Sequence, residues 1–272
     1  KNKGYNMEQT SITSEKKYNW KLFFILLASV IFGLFSVIPY TLTLQSEQLK
    51  TIELPMPLEL IIIIQLFINI LFLGLITGLG LYLGSKYNLG LPIVEKVLKK
   101  EKVKSNLKYV FPMAVIIGII ASLIIIGLDK WIFDLNKYLT QFDINIPESV
   151  QPAPWKGFLA SFYGGITEEV LLRLFLLSFI VWIGMFITRN KTDMPSLTML
   201  WFANIIAAII FGIGHLPATV AIGTPLDIFV ISRAIVLNGI GGIAFGWLYF
   251  TYGLESAMIA HFSADIVIHV IF

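Results

Sequence analysis

The chain contains no cysteine, which excludes disulfides and thiolate metal sites and leaves its redox compartment unread. Charge is scarce as well: Asp, Glu, Lys and Arg make up 14% of residues, against 57% that are hydrophobic. With a mean hydropathy of +0.81, that balance excludes an ordinary soluble domain and fits a polytopic membrane protein. A formal net charge of +3 is too small to argue for a nucleic-acid partner. Linkers, internal repeats and low-complexity tracts are lacking, so nothing divides the chain into soluble modules. The apolar residues run on without the alternation of barrel strands, which excludes a transmembrane β-barrel.

What the chain does have is a series of apolar runs long enough to span a bilayer. Leu22–Leu44, Leu60–Leu83 and Tyr109–Leu128 are three. The first is too long for the apolar core of a signal peptide. Residues Lys1 to Asn6 precede Met7 and read as a tag remnant, so that 1–21 is a tag remnant and cytoplasmic leader. Between the second and third runs, Ser85–Lys108 carries seven lysines and two glutamates. Its middle reads equally as an interfacial amphipathic helix or a solvated basic loop. Lysine bias puts it in the cytoplasm, with Lys16, Lys17 and Lys21 holding the N-terminus on the same side. After a polar, slightly acidic loop over Asp134–Pro154, the stretch Trp155–Ile187 is too long for one straight crossing. The pair Gly164-Gly165 is the expected break, and Arg189 and Lys191 mark the cytoplasmic return.

Inside Gly157–Ile187 the only charges are Glu168, Glu169 and Arg173. A charge at membrane depth costs several kcal/mol, so a cluster of three marks a functional site by default. Glu169 and Arg173 stand at i and i+4 and can pair. Glu168 points elsewhere, and a carboxylate out of water and without a cation is what a general base near neutral pH needs. An ion-pair network that merely locks helices is the competing reading.

The three histidines lie in the last 58 residues, His215 at the end of the apolar stretch Thr198–Leu216 and His261 and His269 in the last one, Leu254–Phe272. His215 closes Phe211-Gly-Ile-Gly-His215. His261 and Asp265 are i and i+4, so the carboxylate can hold the imidazole and fix its tautomer. His269 reads as an interfacial or packing residue. Asn238, Gly242 and Gly246 form a small-residue ridge for close helix contact, and Asn238 could also orient a site carboxylate. Arg233 has Asp227 or a substrate carboxylate as candidate partners.

Four ordered motifs, Glu168-Glu169…Arg173, Phe211…His215, Asn238…Gly242…Gly246 and His261…Asp265, resemble those of the CAAX protease and bacteriocin-processing (Abi) family of intramembrane glutamate endopeptidases. The resemblance covers about Trp155–Phe272, with 22–154 forming three N-terminal spans and 155–272 the catalytic core. It implies a multi-pass protein of the cell membrane that uses no metal or cofactor. Its substrate would be a prenylated or otherwise membrane-anchored peptide, cut near its C-terminus. On this resemblance Glu168 activates water and His215 helps to hold it. His261 and its i+4 partner stabilise the oxyanion. Glu169 and Arg173 support, and Asn238 joins them. The CAAX branch carries Asn at the i+4 position; here it is Asp265, which when ionised cannot donate to an oxyanion and instead holds His261 as the donor.

The expected fold is an all-α transmembrane bundle. If His215 and His261 meet at one depth, Pro217–Tyr252 must cross an even number of times, broken near Ile235–Gly242, for about eight membrane segments at 1.5 Å per residue. Lysine bias then opens the site away from the cytoplasm, whereas a CAAX-type protease opens toward it, so sequence leaves orientation open. Three other functions compete. One is a metal-dependent hydrolase using the same Glu, His and Asp side chains. The others are a proton-coupled transporter and a non-catalytic immunity or scaffold protein of the same fold.

Overall fold

The computed structural model describes residues 19–141, 151–188, 194–221 and 224–272, with the side chains of 104–107 and 136 left aside. The expected tag remnant, Lys16, Lys17, Arg189 and Lys191, and the middle of the acidic loop lie outside the described residues. All described elements are helical: α1 (Trp20–Leu44), the single turn α2 (Ser46–Leu49), α3 (Leu58–Lys86), α4 (Pro92–Leu98), α5 (Lys104–Trp131) and α6 (Leu135–Gln141). They are followed by α7 (Pro154–Phe162), α8 (Ser178–Thr188), α9 (Leu197–Gly214), α10 (Leu216–Ala221), α11 (Ile228–Tyr252) and α12 (Leu254–Ile266). Seven of the described stretches are long and apolar enough to cross a membrane, and the chain is a multi-pass integral membrane protein.

The count is seven rather than eight because α11 does not break. It starts on Asp227, whose carboxylate accepts from the Val230 N–H at 2.9 Å, and runs unbroken to Gly253 at φ 99°. The residues that suggested a break serve packing instead. A Cβ on Gly242 would strike Ala208, and one on Gly246 would strike the Asn204 amide, so α11 and α9 touch nearly backbone to backbone. Gly164-Gly165 is not a break either. Between α7 and α8 the helix continues without interruption through two π-helical stretches, Tyr163–Glu168 and Val170–Leu177. Such i→i+5 turns widen the helix locally and are frequent at functional sites.

One crossing by α11 also decides the level of the last helix. The Leu254 N–H donates to the Gly90 carbonyl at 2.8 Å, and Glu255 Oε1 accepts from the Ile93 and Val94 N–H groups at 2.9 and 2.8 Å. The N-terminus of α12 is therefore tied to the basic loop, whose middle is the short helix α4. His261 lies about 10 Å along α12 from that end, nearer the lysine-rich face rather than the opposite one.

The spans surround a core that includes Val30, Leu174, Leu177, Val181, Leu248, Leu254 and Ala257. Outward sides, such as Phe67 and Leu75 on α3, remain exposed and meet lipid. Helices α1 and α3 lie directly on the π-helical stretches. A Cβ on Gly33 would strike Thr167, and one on Gly80 would crowd Leu174.

Candidate active site

Arg173 and Glu169 are the centre of the bundle, 2% and 0% exposed. Arg173 Nη1 lies 2.9 Å from Glu169 Oε1, and its Nη2 donates to the Gly242 carbonyl at 3.2 Å. The guanidinium stands over the rings of Phe211 and Phe245, 5.2 and 5.7 Å from their centroids. Such contacts stabilise a desolvated cation by about 2 kcal/mol. The i, i+4 pair expected from spacing is thus present, and the aromatic cage around it comes from other helices, which spacing does not show.

Glu169 is not only a counter-ion. Its Oε1 also meets His261 Nδ1 at 2.7 Å. The imidazole stacks on Phe245, with centroids 4.9 Å apart, which fixes the plane of the ring. A carboxylate on Nδ1 sets the tautomer, so Glu169 performs the task that spacing assigned to Asp265. The other nitrogen, Nε2, faces Glu168 Oε2 at 3.7 Å and Asp265 Oδ1 at 3.6 Å. Both distances exceed a direct hydrogen bond and suit a bridging water. Glu168 and Glu169, neighbours in sequence, therefore approach opposite nitrogens of one ring. A π-helical turn ends at Glu168 and another begins at Val170. The side chains of Glu168, Asp265 and His261 keep 19%, 12% and 7% exposure, so accessible surface lies on the Nε2 side.

Gly164 makes room for this arrangement. Its Cα stands where a Cβ would strike Asp265 Oδ2 and come within 3.1 Å of His261 Nε2. Gly164 is not the break its pairing with Gly165 suggests, and its position one turn before Glu168 is the sequence signal of this role.

Two expected residues stand apart. His215 turns its Nδ1 to the Phe211 carbonyl of its own helix at 2.9 Å. It meets His261 only through the Phe211 ring, which touches both imidazoles at centroid distances of 4.7 and 5.8 Å. Asn238 donates to the Ala234 carbonyl within α11 at 2.8 Å and bonds no site carboxylate. The interhelical amide is instead Asn204 on α9, which donates to the Ile243 carbonyl at 3.0 Å. Arg233 does not pair with Asp227. It grips Asp129 at the end of α5 through Nε and Nη2 at 2.7 and 2.8 Å. Asp227 caps α11 and accepts from the Tyr138 hydroxyl. His269 bonds the Tyr40 hydroxyl at 3.0 Å. Among the described residues no group of three or more His, Asp or Glu side chains has an arrangement suited to a metal ion.

Residues 150–267, which hold Glu168, Glu169, Arg173, His215, Asn238, His261 and Asp265, match the family model described as type II CAAX prenyl endopeptidase Rce1-like. The chain carries an Rce1-like domain. The family is one of peptidases, and the domain lies within a multi-pass membrane protein. No curated protein and no solved structure matches the chain. The first three spans lie outside the Rce1-like match, although α1 and α3 wall the helix that carries Glu168 and Glu169.

Proposed function

We propose that the protein is an intramembrane endopeptidase of the cell membrane that hydrolyses a peptide bond near the C-terminus of a prenylated, CAAX-type substrate. The observation that carries this reading is the clasp of one buried imidazole by two adjacent glutamates, one on each ring nitrogen. Glu169, neutralised by Arg173, orients His261 from Nδ1. A water between Glu168 and His261 Nε2 gives up a proton to Glu168 as its oxygen attacks the carbonyl carbon. The oxyanion accepts from Nε2–H of His261 as an imidazolium, whose charge is faced by Glu169 on Nδ1 and Asp265 beside Nε2. Glu168 then passes its proton to the leaving amine. His215 contributes from a distance, through its Nε2 and the shared Phe211 ring, to holding the water or the peptide.

The test is cleavage of a quenched-fluorescent lipidated peptide by the purified protein beside E168Q. The variant should keep its thermal melt and lose activity by about 10³-fold, as expected for removal of a general base. Equal inertness of both proteins across many peptides would favour a binding or immunity role. Loss of wild-type activity in strong chelator, restored by a divalent metal, would favour the metal-dependent hydrolase.

A further inference from the structure

We infer that the end of α1 is the alignment point of the site, and that Tyr40 is a positioning residue for the hydrolysis, acting through His269. This role rests on the hydrolytic reading above. Tyr40 and His269 both lie outside residues 150–267, so the family match assigns a role to neither. The site is divided between two helices. Glu168 and Glu169 ride on the helix that begins as α7, and His261 and Asp265 ride on the last one. Glu169 meets His261 at 2.7 Å and Glu168 faces the same ring at 3.7 Å. Those separations hold only while the two helices keep one relative height and rotation. A misplacement of about 1 Å can cost about 10²-fold in rate.

The basic-face end of the last helix is fixed by Gly90, Ile93 and Val94. The opposite end is fixed from α1. The Tyr40 hydroxyl and His269 Nδ1 lie 3.0 Å apart, and the two rings meet edge to face with centroids 5.3 Å apart. One turn further along α1, the Thr43 hydroxyl accepts from Lys156, near the start of α7, at 2.5 Å. Neighbouring residues of one helix thus hold both site-bearing helices. At the same level those two helices touch directly, since a Cβ on Gly157 would strike the His269 carbonyl. His269 is two turns beyond His261, about 12 Å along the axis. Over that distance a stiff helix passes a slide or a turn of one end on to the other. The end that Tyr40 holds is also irregular. Val267–Ile271 form a π-helical turn that starts two residues after Asp265. Such turns are rare, and one released from its tie relaxes toward an α-helix, which rotates the residues beside it. A hydrogen bond is directional, so it fixes rotation about the helix axis where apolar contact leaves it soft.

Tyr40→Phe keeps the ring and removes the bond. Purified Y40F is assayed on the lipidated peptide beside wild type, well below its melting temperature. It should lose about five- to tenfold in kcat with KM little changed. H269L should lose as much, and the double variant no more than either single one, because both remove the same tie. H269N, whose amide accepts or donates at the position of Nδ1, should keep kcat near that of wild type. A merely structural pair would lower the melting temperature and leave kcat of the folded protein unchanged. If H269L does not fold, Y40F beside H269N carries the comparison. Unchanged kcat in Y40F, with E168Q dead, overturns the alignment role and leaves the protease reading standing. A rise in KM alone assigns the pair to substrate binding and likewise overturns it. Losses that multiply in the double variant show that the two side chains act separately, and overturn it too. A wild type that cuts no peptide overturns both readings.

Discussion

Arg173 is the largest fully buried side chain in the described structure, and its charge is matched by a carboxylate of its own helix. Breaking such a pair from one side leaves a lone buried charge and costs about 3–5 kcal/mol, whereas replacing both partners by apolar groups of similar volume is often neutral. Arg173→Met should therefore lower the melting temperature in detergent markedly. The double variant Arg173→Met with Glu169→Leu should recover most of that loss. Activity should not return, because His261 Nδ1 has then lost the carboxylate that orients it. A double variant that cuts normally would show that Glu169 is structural only. The pairing of Glu169 with Arg173 could be read from spacing. That the same oxygen also holds His261, from a helix 92 residues away in sequence, could not, because i, i+4 arithmetic is blind to contacts between helices.

Helix α11 shows how far element boundaries follow from pattern. Its apolar character and its glycine ridge were legible, and the Asn204 amide opposite that ridge was a visible anomaly in an apolar run. Its continuity was not legible, because the glycine-rich stretch up to Gly242 looks like a hinge until α9 is laid against Gly242. The π-helical turns were equally hidden, since nothing local distinguishes them from an α-helix of the same residues. At the N-terminus of α11, Asp227 lies outside the membrane span and its carboxyl is held below the ordinary 3.8 by the Tyr138 hydroxyl and then by backbone N–H groups. A depressed carboxyl stabilises the fold fully above its unfolded value, and that stabilisation is lost as pH falls through the lower, folded value. The Tyr138 phenol, raised above 10.0 chiefly by the same bond, keeps its share until pH climbs past the ordinary tyrosine range. D227N retains the cap but not the charge. The gap in melting temperature between wild type and D227N should be present at neutral pH and close below pH 3.8, read by melts across that range. A gap that is the same at pH 3 and pH 7 would remove the charge from the account.

Taken as one molecule, the seven spans among the described residues are odd in number, so the start of α1 and the end of the last helix face opposite sides. Lysine bias puts the loop between α3 and α5 in the cytoplasm. In intact cells, single cysteines at Lys50 and Lys102 should therefore differ: K50C is labelled by an impermeant maleimide, and K102C only after lysis. Labelling of both alike would reject the seven-span arrangement; the inverse pattern would invert it. With α11 crossing singly, His261 lies toward the basic face, and the same labelling reports which side of the membrane that face occupies. The motif-bearing region ends where recognisable sequence does, but the shape of its centre does not. Thr167 donates to the Val30 carbonyl, and Leu174 is covered by Gly80 and Gly84, all from spans without a motif. Those two helices act as a mould for a wide, irregular turn that an isolated segment would relax into an ordinary α-helix. Residues 151–272 produced alone should therefore be inert, and supplying 1–141 as a separate polypeptide in the same membrane should restore cleavage by assembly of the two pieces.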